Sequence, residues 1–145
     1  MQITTTRFGF LTIPAEDVIR FPLGIFGLED CHHFVLLADS DNDALAWLQS
    51  TSRSEIAFAV VNPRRFVPWY QLRISRRELA PLELSGLNDA EVLAIVSQRA
   101  GMMTLNLKAP LVINLPGRVG RQVIAEGDAN VCHPLVEDAP LKRVA

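Results

Sequence analysis

The side chains able to do chemistry are few. Cys31, His32 and His33 are consecutive, and Cys132 and His133 form a second pair. Thiolate and imidazole are zinc ligands. The spacing argues against a metal site. Neighbours on a strand point to opposite faces, so no more than two of residues 31–33 can converge. Neither C-x2-C nor H-x3-H is present. These residues read as a strand cysteine with histidines near strand ends. Hydrolytic motifs such as G-x-S-x-G and H-E-x-x-H are also missing. His33 and His133 could each pair with a carboxylate, but the pattern adds no nucleophile or orienting group. The residues therefore predict no enzyme, no cofactor and no metal.

FPLGIFGLED, residues 21–30, raises a different chemistry. Gly24 and Gly27 could let backbone N–H groups cradle a phosphate. The surroundings oppose it: Phe21, Leu23, Ile25 and Phe26 are apolar, no Lys, Ser or Thr follows, and Glu29 and Asp30 repel anions. The stretch reads instead as a bend in which glycine supplies positive φ or a close backbone approach.

Charge is unevenly spread along the chain, whose net charge is −2. Residues 1–50 carry seven acids, Glu16, Asp17, Glu29, Asp30, Asp39, Asp41 and Asp43, against Arg7 and Arg20. Residues 51–80 carry six arginines, Arg53, Arg64, Arg65, Arg73, Arg76 and Arg77, against Glu55 and Glu78. With Phe66, Trp69 and Tyr70 among them, residues 53–77 could form a basic, aromatic platform for single-stranded bases. The negative net charge weighs against that, because phosphate binding needs a dense positive field. The plainer expectation pairs these arginines with acids from residues 1–50.

The elements that must carry these groups are mostly short β-prone runs between turn signals. QITTTRF and GFLTI suggest a hairpin with Gly9 at its tip. DVIRF and HHFVLLAD follow. ALAWLQS and EIAFAVVN suggest a second hairpin, and YQLRI a short strand. Ser75 and Glu78 have capping-box spacing for a helix that Pro81 limits to about two turns. AEVLAIVSQR, MTLNLKAP, LVINLP and GRQVIAE are four further strands. Several runs are apolar at consecutive positions, so they are covered on both faces. Asn62, Asn106 and Asn114 stand where asparagine is unfavourable and are expected to tie down turn backbone. The fold class is all-β, a small antiparallel β-barrel-like or sandwich domain with one short helix near residues 75–84. Residues 1–130 are expected to make this single domain, and residues 131–145 an irregular tail. The 145 residues suit one compact domain. No apolar run approaches the ~20 residues of a membrane helix, and MQITTTRFGF lacks a signal-peptide pattern. The expectation is a cytoplasmic protein with reduced thiols.

Taken together, spaced motifs resemble one family, the flagellar assembly factor FliW. The blocks are Phe21-Pro22-x-Gly24-Ile25-x-Gly27-x-Glu29, Leu48-Gln49-Ser50 and Ala57-Phe58-x-Val60-x-Asn62-Pro63. They continue with Thr104-x-Asn106-Leu107-x-Ala109-Pro110-x-x-Ile113-Asn114, Gly120-x-Gln122-Val123-Ile124 and His133-Pro134-Leu135. Phe26 departs from the family's usual GIPGFE, where proline stands, and Asn130, Val131 and Cys132 replace a segment that usually carries Tyr and Arg. The resemblance implies a monomeric β-barrel-like protein that binds flagellin in the cytoplasm. It also implies binding of the translational repressor CsrA, which partner switching would sequester once flagellin is exported. No direct nucleic-acid or membrane partner is implied. Under that reading, Glu16, Asp17, Glu29, Asp30, Asp39, Asp41 and Asp43 are candidates for a face that meets basic CsrA. Phe26, Leu28, Phe66, Pro68 and Trp69 are candidates for an apolar groove that meets flagellin. Trp69 could instead cap the core. Phe21, Pro22, Gly24, Gly27, Asn62, Pro63, Asn106, Pro110 and Asn114 are expected to be structural. The alternative is a small β-barrel RNA-binding module using residues 53–77.

Overall fold

The computed structural model describes residues 1–135. The chain opens on a hairpin of β1 (Gln2–Thr5) and β2 (Gly9–Thr12). Thr5 Oγ1 closes its tip by accepting the Phe8 N–H and donating to the Gly9 carbonyl. A single 3-10 turn, Ala15–Asp17, leads to β3 (Ile19–Arg20). β4 (His33–Ala38), β5 (Ala46–Ser50) and β6 (Ala57–Val61) form an antiparallel meander with it. Asn62 Oδ1 then accepts the Arg64 N–H and caps a 3-10 turn at Pro63–Arg65. After the helix α1 (Arg76–Leu79) come β7 (Ala90–Arg99), β8 (Met102–Leu105), β9 (Leu111–Asn114), β10 (Val119–Gln122) and β11 (His133–Pro134).

Seven strands close a barrel in the order β7-β6-β5-β4-β3-β10-β9, and β9 pairs back to β7. Closure leaves the ring no free edge. The all-β expectation holds, and it resolves to a barrel. β7 serves twice: Ala90–Leu93 complete the ring against β9, while Val96–Arg99 carry β8. β11 adds to β8 outside the ring. One seam, β3 against β10, is parallel and rests on Arg20 opposite Val119.

Alternation explains the doubly apolar strands. Leu48, Val60, Leu93, Leu111 and Ile113 belong to one buried cluster with Ile19, Phe21, Ile25 and Phe34. Their strand neighbours Trp47, Ala59, Val61, Ala94 and Val96 belong to a second cluster, with Val67, Tyr70 and Leu107. Val112 lies in a third, against which Leu79 and Leu84 pack. The first hairpin covers Val35 with Ile3 and Ile13. Period-two strands with both faces buried need covers on their second face. The hairpin, residues 66–72 and the α1 segment supply them.

Three elements differ from the sequence expectation. Among the described residues YQLRI has no ladder partner; its backbone bonds run from the Tyr70 N–H to the Val67 carbonyl and from the Glu126 N–H to the Arg73 carbonyl. Its side chains cover the barrel instead: Tyr70 is buried, and Leu72 and Ile74 pack on the second and third clusters. The helix is shorter than two α-turns. Ser75 Oγ accepts the Glu78 N–H as the cap predicts, but from Ala80 the chain tightens into a 3-10 turn around Pro81. His133–Pro134 is a strand within the segment expected to be irregular. Bonds from Leu107 N–H to the Asn130 carbonyl and from Leu135 N–H to the Met103 carbonyl bracket it. The rest of the expected tail, residues 136–145, lies outside the described residues.

Candidate protein-binding surface

The FPLGIFGLED stretch is a tight turn, not an anion cradle. Ile25 and Leu28 face each other, with Leu28 N–H donating to the Ile25 carbonyl at 2.6 Å. Gly27 has φ +87° at the third position of this turn, as a type II turn requires. Gly24 has φ +69°, and a Cβ there would sit 2.6 Å from Glu29 Cα, so only glycine fits. The inward N–H groups are already used. Phe26 N–H donates to Gln122 Oε1 at 2.8 Å, and Gly27 N–H to Glu29 Oε2 at 2.6 Å. Gln122 is buried, and its Nε2 donates to the Ala109 carbonyl. Asn106 Oδ1 in turn accepts the Lys108 and Ala109 N–H groups. The FPLGIFG, NLKAP and GRQVI blocks are thus one hydrogen-bonded assembly, and Gln122 is its centre. The sequence placed Gln122 in a motif block without marking it as this centre, because Arg121 beside it makes the segment read as an ordinary half-polar strand.

What this turn leaves outside is apolar. Phe26 and Leu23 are both exposed, while Leu28 is half-buried against the barrel core. The larger apolar exposure is elsewhere. Trp69 is 76 % exposed, so it does not cap the core; Tyr70 does, donating its hydroxyl to the Leu107 carbonyl at 2.9 Å. Burial pushes the Tyr70 phenol pKa up. Trp69 walls a groove of about 560 Å³ with Val67, Leu107 and Ala129, and with Arg73, Glu126, Asp128 and His133 as polar rim. Phe66 is half-buried against the core beneath this segment, and Pro68 is exposed. Phe26 and Leu28 do not line this groove. Apolar residues that the sequence did not mark as surface candidates are also exposed: Phe10 at 83 %, Met102, Ile124 and Val131.

The acidic residues do not gather. Glu29 and Asp30 precede one end of β4, and Asp39, Asp41 and Asp43 follow the other. Asp39 is occupied by the fold: its carboxylate accepts from Trp47 Nε1–H and from the Asp41 and Asn42 N–H groups. The Trp47 bond foremost holds its pKa below the ordinary range. Asp43 pairs with Arg65 at 3.3 Å, and Asp17 approaches Arg118 at 3.9 Å. Glu16 lines a shallow groove with Arg20, His33 and Arg118.

The basic, aromatic segment is likewise divided. Arg53 pairs with Glu55, Arg64 donates to the Tyr70 carbonyl and Arg65 meets Asp43. With Tyr70 buried and Phe66 half-buried, Trp69 alone stands fully clear for stacking. His33 and His133 fall in different grooves, the first with Arg20 and the second with Trp69, and His32 Nδ1 meets the Phe21 carbonyl. Cys31 is buried and Cys132 exposed. Among the described residues no cluster of three or more His, Cys, Asp or Glu side chains has metal-holding geometry. The three asparagines act as the sequence predicts. Asn114 donates to the Leu82 carbonyl and accepts the Gly117 N–H.

Comparison with known proteins agrees with this architecture. A family model described as "FliW protein" matches residues 2–135. A flagellar assembly factor FliW from Thermoanaerobacter pseudethanolicus is 36 % identical over 142 residues, covering 95 % of each chain. Another, from Bdellovibrio bacteriovorus, is 38 % identical over 128 residues, or 87 % of this chain and 73 % of that one. A crystal structure of a flagellar assembly factor FliW superposes with a TM-score of 0.87 at 31 % identity, covering 94 % of this chain and 97 % of that one. The chain therefore belongs to the FliW family of flagellar assembly factors.

Proposed function

We propose that the protein is a non-catalytic regulator that holds flagellin in the cytoplasm and, once flagellin leaves, takes up the translational repressor CsrA. The switch is mass action: whichever partner is in excess occupies the protein, acting as a monomer. The observation that carries the reading is Trp69, an indole left 76 % exposed on the wall of a groove in a chain whose barrel is already filled. Exposed aromatics beside a polar rim are the usual anchors of protein interfaces. Family membership supplies the flagellar context. Among the described residues no helix is long and apolar enough to cross a membrane.

Trp69→Ala tests the groove. Because the ring packs little against the fold, thermal stability should change by no more than ~0.5 kcal/mol, while flagellin capture should fall by about tenfold or more. Full capture by a folded Trp69→Ala protein would remove this groove from the reading. Adding flagellin to a preformed complex with CsrA should release CsrA; no release would refute the switching.

A further inference from the structure

Three of the six arginines between residues 51 and 80 have partners in the fold, as described above for Arg53, Arg64 and Arg65. Arg73, Arg76 and Arg77 have none: among the described residues their side chains make no hydrogen bond or ion pair. All three are exposed, and Arg76 and Arg77 lie side by side in α1. The fold gains nothing visible from this concentration of charge. A fourth guanidinium arrives from β10, where Arg121 donates to the Glu78 carbonyl at 2.9 Å. The Glu78 carboxylate, the nearest acid in the helix, is turned toward the Ile124 N–H.

Beside Arg76 the surface is concave and apolar. A groove of about 350 Å³ is walled by Leu79, Ala80 and Leu84, with Glu83 on its rim. Its floor is fixed, because Leu79 and Leu84 pack on Leu82, Val112, Val119 and Val123. We propose that this corner is a second docking surface, whose partner is an acidic peptide segment anchored by an aliphatic side chain. The carboxylates would meet Arg76 and its exposed helix neighbour Arg77, and the aliphatic group would enter between Leu79 and Leu84. Arginine forks suit paired carboxylates. A nucleic acid fits less well: among the described residues no aromatic lines the groove, and the whole chain is net negative. This groove is separate from the Trp69 groove: Arg76 lines the one and Arg73 the other, and no residue lines both.

The test is a titration of isotope-labelled protein followed by amide chemical shifts. The probes are a synthetic peptide of alternating glutamate and leucine pairs, the same peptide with lysine for glutamate, and an oligouridine. The acidic peptide alone should move the amides of residues 76–86. Arg76→Glu with Arg77→Glu should weaken it by about tenfold, with unchanged thermal unfolding, and Trp69→Ala should leave it unaffected. Equal shifts from the lysine peptide, stronger shifts from oligouridine, undiminished binding by the double variant, or no shift at all would each overturn the proposal. None of these outcomes bears on flagellin capture by the Trp69 groove.

Discussion

Phe26 occupies the second position of the Ile25–Leu28 turn, the position that favours proline in a type II turn. The family pattern carries proline there, yet this chain spends the Phe26 N–H on Gln122 Oε1. Two effects oppose each other in Phe26→Pro. Stiffening the unfolded chain gains about 0.4–1 kcal/mol. Stripping the donor from a buried amide oxygen costs about 1–3 kcal/mol. The second is larger, so the variant should lose about 1 kcal/mol and melt a few degrees lower. In a Gln122→Met background the same change should be neutral or stabilising, since no acceptor is stranded. Thermal melts of the four proteins decide it; a higher melting temperature in the single variant would mean the hydrogen bond contributes little.

Asn114 shows how single side chains join whole elements. It ends β9, yet its amide reaches the Leu82 carbonyl beyond α1 and accepts the Gly117 N–H that starts the turn into β10. Asn114→Leu keeps the volume and leaves both groups unpaired. A loss of about 2–3 kcal/mol is expected, with faster amide exchange at Gly117 than in the parent protein. Unaltered exchange there would show that water replaces the amide. That Asn62, Asn106 and Asn114 tie down backbone was legible from sequence, because asparagine in a β-prone run needs partners. The partner was not, since Leu82 lies 32 residues away. The same limit hid which tryptophan is buried: Trp47 packs into the cluster with Val61, Tyr70 and Val96 and is covered by the first hairpin, with Phe8 edge-on and Arg7 over its ring, whereas Trp69 stands exposed. YQLRI carried an honest strand pattern, but its alternation serves to cover the barrel and not to pair.

At the scale of the molecule, a run of acids along the chain became two separated groups. β4 has six residues, so Asp30 before it and Asp41 and Asp43 after it stand roughly 20 Å apart along the barrel. A single compact contact with a basic partner therefore engages one end. The candidate face was built on the total charge of residues 1–50, and closing the barrel divides that total. Asp30→Lys and the pair Asp41→Lys with Asp43→Lys should consequently differ in their effect on the proposed CsrA binding. One should lower the affinity and flatten its salt dependence; the other should do neither. Stability is not at issue, because the Asp43–Arg65 pair is exposed and contributes little. Calorimetric titration of each variant at two salt concentrations separates the ends. Equal losses from both would mean a long-range field, not a contact, draws the partner in, and no loss from either would remove the acids from the interface.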